Sequence, residues 1–386
     1  MQAKKWRRIR DQMDTDRLEK IAEPLLSWFK DNARDLPWRR EPLPYYVWVS
    51  EIMLQQTRVE AVKPFFARFI DALPDIAALA SCEEERLLKL WEGLGYYNRV
   101  RNMQKAAKLV EEQYHGRLPD CYEELQKLPG IGSYTAGAIS SIAYGKAEPA
   151  VDGNVLRVVS RITGCEEDVM KQSVRRKFET SLRTVMPKDK PGTFNQALME
   201  LGATVCLPNG APECHKCPVQ AICYAREHGC QLLLPVKAAK KERRVEPRTV
   251  LVIRDSEHAL IQKRPSKGLL ASLYELPNLE GRLMVDEVLQ YVEHCGFSPI
   301  RIMELPPAKH IFSHIEWHMT GYMVLVEDVE EIGIEKTAEQ VSHRRSLFIQ
   351  PQQTEQEYPI PAAFAAYTKY LSIKLGQEKY RETGEI

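Results

Sequence analysis

Residues 128–136 read Leu-Pro-Gly-Ile-Gly-Ser-Tyr-Thr-Ala, part of the most informative stretch of this chain. Pro129 cannot continue a helix, and Gly130 and Gly132 permit a tight turn with positive φ. Upstream, Asp120 followed by Glu123 predicts a helix over 120–127 with Asp120 as its cap. A helix, a Gly-x-Gly hairpin and a second helix aim the hairpin amides and the second helix's N-terminus at one spot. Such a cradle suits an anion, for instance a DNA phosphate. Further on, Val151-Asp152-Gly153-Asn154 sets an isolated carboxylate at the start of another apolar helix, over 153–162.

Two tracts divide the chain. Up to about residue 230 the apolar residues recur at helical spacing, as in Val59, Val62, Phe66 and Ile70 or Val100, Met103, Ala107 and Val110. Ser81-Cys82-Glu83-Glu84 reads as a capping box leading into Leu87, Leu88 and Trp91. Pro24 and Pro64 interrupt two of the helical stretches. Residues 232–248 form a basic connector with a proline near each end. Beyond it the period becomes two: strands are expected over 249–253, 260–263, 301–305 and 317–326, with helices over 285–295 and 361–373. The expected layout is a mainly α region over 1–231, the linker 232–248, a smaller α+β domain over 249–375 and a tail from 376.

At 386 residues, 44% hydrophobic and 28% charged, the chain is globular and large enough for more than one domain. It has no apolar run long enough to span a membrane and no secretory signal pattern, so no membrane role is expected. Nine cysteines, five of them scattered, fit a reducing, intracellular setting. The net charge of +1 hides an asymmetry: residues 1–246 carry 39 Lys+Arg against 33 Asp+Glu, the remainder 15 against 20. The excess positive charge falls where phosphate contacts are expected.

Cys206, Cys214, Cys217 and Cys223 cluster just after the last helix of the first tract and predict a metal site. Spacing alone leaves zinc and an iron–sulfur cluster both open. Glu51 stands alone in the apolar stretch from Tyr45 to Leu54. Desolvation raises the pKa of such a carboxyl, which can then stay protonated and act as an acid. With Asp152 it makes a carboxylate pair of the kind that glycosidic bond hydrolysis uses.

Five motifs in order carry a resemblance over nearly the whole chain: Leu-Pro-Trp-Arg (36–39), Ser-Glu-Ile-Met-Leu-Gln-Gln-Thr (50–57), Gly-Leu-Gly-Tyr-Tyr-Asn-Arg (93–99), the hairpin and Val-Asp-Gly-Asn. The chain resembles the MutY-type adenine DNA glycosylases of the helix–hairpin–helix superfamily. The resemblance implies a helix–hairpin–helix catalytic region with a [4Fe-4S] cluster held by the four cysteines. The first cysteine gap, seven residues here, is one longer than the family's usual six. It implies that Glu51 protonates adenine and later activates water, while Asp152 stabilises the cationic sugar, supported by Tyr134 and Asn154. Trp38, Arg39 and Gln196 would line the adenine pocket. Gln56, Thr57 and Tyr96 would meet the duplex beside the flipped base, and Gly130 and Gly132 its backbone. The endonuclease III-like relatives place an attacking lysine where this chain has Tyr134, and tyrosine forms no Schiff base. Base removal without strong strand cleavage is therefore expected.

In the second domain, residues 268–277 (Gly-Leu-Leu-Ala-Ser-Leu-Tyr-Glu-Leu-Pro) resemble a Nudix loop and strand. The acidic Nudix helix is missing, since 285–295 offers only Asp286, Glu287 and Glu293, so nucleotide hydrolysis is not expected. Phe312, Ser313 and His314 match the loop by which the family reads 8-oxoguanine opposite the adenine. The implied partner is double-stranded DNA containing adenine opposite 8-oxoguanine or guanine, bound by a monomer. The rival readings are a bifunctional glycosylase/lyase acting on oxidised pyrimidines and a non-catalytic lesion binder. Tyr134 opposes the first, and the Glu51–Asp152 pair opposes the second.

Overall fold

The computed structural model describes residues 14–238, 242–329 and 346–375. The chain forms two compact units. The first comprises residues up to 56, 73–80 and 102–240; the second comprises 57–72, 81–101 and 241 onward. Each is described by itself.

In the first unit, the helix Gly153–Thr163 runs through the core. Its Val155, Leu156, Val158, Val159 and Ile162 pack with Leu18, Ile21, Leu25, Phe178 and Phe194. Gly164, at φ 68°, ends it in the left-handed conformation common just past a helix. The hairpin region forms as a helix–turn–helix, although its first helix is short, Tyr122–Leu125, and its N-cap is Cys121 rather than Asp120. The Asp120 carboxylate instead lies 3.0 Å from the Lys146 ammonium. Gly130 takes the expected positive φ of 80°. Gly132 does not: at φ −93°, ψ −176° it is extended backbone, serving as N-cap of Ser133–Ala138. That helix passes into a π-turn over Ile139–Ala143.

Among the described residues the second unit holds a seven-stranded sheet: β1 Arg244–Arg254, β2 Ala259–Lys263, β3 Tyr274–Glu275, β4 Asn278–Glu280, β5 Pro299–Ile311, β6 Ile315–Val326 and β7 Ser346–Ile349. The order is β3-β2-β1-β6-β5, with β4 paired to β1 and β7 to β2. β1 and β6 run parallel, and β5 and β6 form an antiparallel hairpin. Its register shifts between Leu305 and Ala308, where Pro306 and Pro307 lack the N–H a ladder needs. The period of two is visible along β1. Val250 and Val252 face Phe364 and Tyr367 on one side, while Leu251 and Ile253 face Val288 and Val292 on the other.

Several expectations need correction. β1 begins at Arg244, so the end of the basic connector, Arg244–Arg248, is strand. The helix expected over 361–373 is three short turns, Ala362–Phe364, Ala365–Thr368 and Lys369–Leu371. Ser81 closes the helix Ile76–Ser81, and Glu83 is the N-cap of Glu84–Leu90, so the sequence 81–84 is no capping box. Pro24 lies in the first turn of Ala22–Asn32, where no intrahelical bond is lost, and Val59–Ala72 continues through Pro64. Residues 376–386 lie outside the described residues.

Within the second unit, partly or fully buried polar bonds join residues 81–101 to the sheet domain. The Lys89 ammonium donates to the Thr354 and Tyr358 carbonyls at 2.6 and 3.2 Å and pairs with Glu92 at 3.0 Å. Ile360 N–H donates to Glu92 at 2.9 Å, and Arg101 donates to the Ala271 carbonyl. Apart from the Lys89–Glu92 pair, these partners are more than 160 positions apart, so no local pattern announces them.

Candidate active site and nucleic-acid interface

Glu51 lies on the helix Pro44–Leu54 and is only 6% exposed. The Tyr134 hydroxyl, from the second helix of the hairpin, donates to its carboxyl and also lies 3.5 Å from Met199 Sδ. Burial pushes the Glu51 carboxyl up to about 7; the Tyr134 bond and the Arg39 charge oppose this, and the Asp152 charge adds to it. Burial, with the nearby carboxylates, also holds Tyr134 well above the usual phenol range, so it stays a donor. The pair can therefore present a protonated acid near neutral pH.

Asp152 is the N-cap of Gly153–Thr163. Its Oδ1 accepts from Val155 N–H at 2.7 Å and its Oδ2 from the Asn154 amide at 2.7 Å. Burial raises its pKa, and these bonds with the Arg157 charge pull the other way. Asn154 in turn accepts from Arg157 at 2.9 Å. Gly202 lets the helix Pro191–Thr204 approach closely, since a Cβ there would lie 2.5 Å from that of Asn154. Glu51, Tyr134, Asp152 and Asn154 thus belong to one group, contributed by three helices.

Two arginines missed by sequence reasoning tie this group to the cysteine loop. Arg157 donates to the carbonyls of Cys206 and Gly202, both at 2.7 Å, and Arg161 donates to Cys206 Sγ at 3.2 Å and Leu207 O at 3.0 Å. Both are nearly fully buried. Their signal was present: charges four apart inside an apolar helix need partners. Cys206, Cys214, Cys217 and Cys223 all line one small cavity beside Arg161 and Arg226. The described residues contain no group of three or more potential ligands already at metal-holding separations. Four thiols around one cavity nonetheless form the donor set that an iron–sulfur cluster uses.

Trp38 and Arg39 sit on the short helix Pro37–Arg40, with Trp38 buried. Arg39 donates to Glu200 at 2.8 Å and to the Arg34 carbonyl at 3.0 Å, with its guanidinium over the Phe29 ring. Gln196 is half-buried on Pro191–Thr204, the helix that also carries Met199 and Glu200. Gln56 is exposed with a φ of 60°, rare for a residue with a side chain and typical of functional turns. Thr57 follows it, half-buried.

The second unit carries the remaining candidates. Tyr96 is 51% exposed with a φ of 46°. Phe312, Ser313 and His314 form the β5–β6 turn, closed by Phe312 N–H donating to Ile315 O at 2.8 Å. Phe312 is not free: its ring packs edge-on against Trp317 at 4.9 Å and His310 at 4.7 Å. Ser313 and His314 are exposed. A cavity of about 720 Å³ within this unit is lined by Tyr96, Leu270, His310, Phe312, Ser313 and His314, among others.

Residues 49–184 match the family of HhH-GPD superfamily base excision DNA repair proteins, and residues 249–370 match the NUDIX domain. The adenine DNA glycosylase of Mus musculus is 36% identical over 78% of this chain and 70% of its own length. That of Buchnera aphidicola (Schizaphis graminum) is 33% identical over 79% of this chain and 87% of its own. Among solved structures, a thermostable thymine-DNA glycosylase superposes with a TM-score of 0.50 at 27% identity, covering 55% of this chain and 98% of that one.

Proposed function

The chain belongs to the adenine DNA glycosylase family, with a helix–hairpin–helix base-excision region followed by a Nudix-like domain, and from that premise we propose how its residues remove adenine from DNA. The observation that carries the reading is a single buried carboxyl, Glu51, held by Tyr134 in the same group as Asp152.

Glu51 gives its proton to a ring nitrogen of the flipped adenine, and the N-glycosidic bond breaks with its electron pair leaving on the base. The Asp152 carboxylate, held by Asn154 and Val155, faces the developing positive charge on the sugar. Water then adds to the anomeric carbon and returns a proton to Glu51. Tyr134 keeps the acid in place and cannot form a Schiff base, so the product is an abasic site in an intact strand. Trp38, Arg39 and Gln196 enclose the base, which must leave the stack before any group can reach it. Gly130 turns the hairpin, and Gly132, where an added Cβ would meet nothing, lets a phosphate approach the amides. Gln56, Thr57 and Tyr96 take the duplex side.

Cys206, Cys214, Cys217 and Cys223 hold a [4Fe-4S] cluster in this reading. When bound, it ties the loop through four thiolate bonds and supplies a metal-centred charge there. Arg157 and Arg161 brace that loop against the helix that begins at Asp152. The chain is read as a monomer, with the connector that begins at residue 232 ending where β1 starts at Arg244. Among the described residues no helix is long and apolar enough to cross a membrane.

The preferred substrate is adenine opposite 8-oxoguanine, with Ser313 and His314 reading the lesion. The cavity shared by this turn and Tyr96 supports this assignment. Single-turnover excision is expected to be faster opposite 8-oxoguanine than opposite guanine, and adenine paired with thymine should be spared. Equal rates on all three duplexes would contradict lesion reading.

A further inference from the structure

Glu200 is 1% exposed and has no part in the chemistry above. Its side chain takes both arginines of the Arg34–Arg39 segment. Arg34 donates to it twice, at 2.6 and 3.1 Å, and Arg39 donates at 2.8 Å. Arg34 N–H adds a bond at 3.2 Å. Burial pushes the Glu200 carboxyl up, and the two guanidiniums more than offset that, leaving it below its ordinary value. It is thus ionised and shared between two cations, one of which, Arg39, sits in the base pocket.

A buried anion with several charge-assisted bonds fixes its partners' geometry, and removing one side of such an arrangement leaves an uncompensated charge. We propose that Glu200 is a positioning residue of the base pocket, fixing the Arg39 guanidinium by a direct ion pair and so setting the field that Arg39 exerts at Glu51. The inference rests on the assignment of Glu51 as the acid. The groups that act on Glu51 are Tyr134 from Ser133–Ala138, Asp152 from the cap of Gly153–Thr163 and Arg39 from Pro37–Arg40. Arg39 favours the ionised form of Glu51, and the ion pair with Glu200 holds its guanidinium back from that carboxyl.

The signs follow. Without Glu200 the Arg39 guanidinium is released from its ion pair and can turn toward Glu51, so Glu51 ionises more readily and the alkaline limb of the rate profile moves to lower pH. Without Arg39, the limb moves to higher pH.

The test is single-turnover excision by the full-length protein on a duplex with adenine opposite 8-oxoguanine, from about pH 5 to about pH 9. Glu200→Gln should displace the limb downward by about 0.5–1 pH unit, and Arg39→Met upward by a similar amount, the scale for one partly screened charge. In the double variant the limb should stay where Arg39→Met puts it. A merely structural role would lower the rate equally at every pH. Either single variant's profile superimposing on the parent limb overturns the inference, as does a downward shift from Glu200→Gln that persists without Arg39. Where Glu200→Gln fails to fold, Glu200→Asp, which keeps the charge but withdraws it from Arg39, takes its place: a downward shift is expected, and superposition on the parent limb overturns the inference. If instead the parent has no alkaline limb, or Glu51→Gln retains excision, it is the assignment of Glu51 that fails.

Discussion

Replacing Glu51 with Gln is expected to abolish excision almost completely while making the protein more stable. Glutamine keeps the shape and can still accept from Tyr134, but it has no proton to transfer. Single-turnover excision should fall by at least about 10²-fold, the scale of general-acid catalysis, with lesion DNA still bound. The stability gain comes from linkage. The folded-state pKa of Glu51 is raised to about 7 from an ordinary 4.5. Between those values the folded protein holds a proton that the unfolded chain has lost, so stability falls as pH rises through the window. Above the window the accumulated cost is about 3 kcal/mol. Glu51→Gln should therefore melt higher than the parent at pH 8, with the difference vanishing below pH 4.5. Denaturant titrations at the two pH values read this directly. Unchanged stability at pH 8 would mean that the carboxyl is solvated, and near-normal excision would remove it from the chemistry.

The second large effect concerns the β5–β6 turn. Ser313 and His314 are exposed at its tip, and neither packs in the core. A Ser hydroxyl and a His ring can bond the N7–H and C8 carbonyl that distinguish 8-oxoguanine from guanine. Replacing both with Ala should lower excision of adenine opposite 8-oxoguanine more than opposite guanine, by roughly 1–3 kcal/mol of discrimination for two lost bonds. The ratio of the two rates, parent against double variant, is the measurement. Equal losses on both duplexes would make the turn structural. Phe312 is left out of the variant because its ring supports Trp317 and His310, and its loss would disturb the sheet face.

The two-domain fold was legible because its signals are local. Gly130 marks the hairpin by its positive φ, and the alternation of β1 and β6 marks the sheet. The Glu51–Tyr134–Asp152 grouping was legible only through motif order, because no periodicity relates residues this far apart in sequence. What escaped was non-local. Nothing local in the sequence singles out Glu200, whose role shows only with Arg34 and Arg39 beside it. Arg157 and Arg161 interrupt an apolar helix, and only the fold brings the Cys206 loop to receive them. The grouping of 57–72 and 81–101 with the sheet domain rests on the same kind of contact. Local errors had a different source. Asp120 and Ser81 have the composition of caps, but Asp120 lies beside Lys146 and Ser81 ends a helix, and composition does not choose among such roles.

The most direct measurement is product analysis on a duplex carrying one adenine opposite 8-oxoguanine, with the strand examined before and after hot alkali and the released base identified by mass. The account predicts free adenine, an intact strand before alkali and a cut at the adenine position after it. A cut without alkali would contradict it in favour of a lyase, and bound but unaltered DNA would contradict it in favour of a lesion binder.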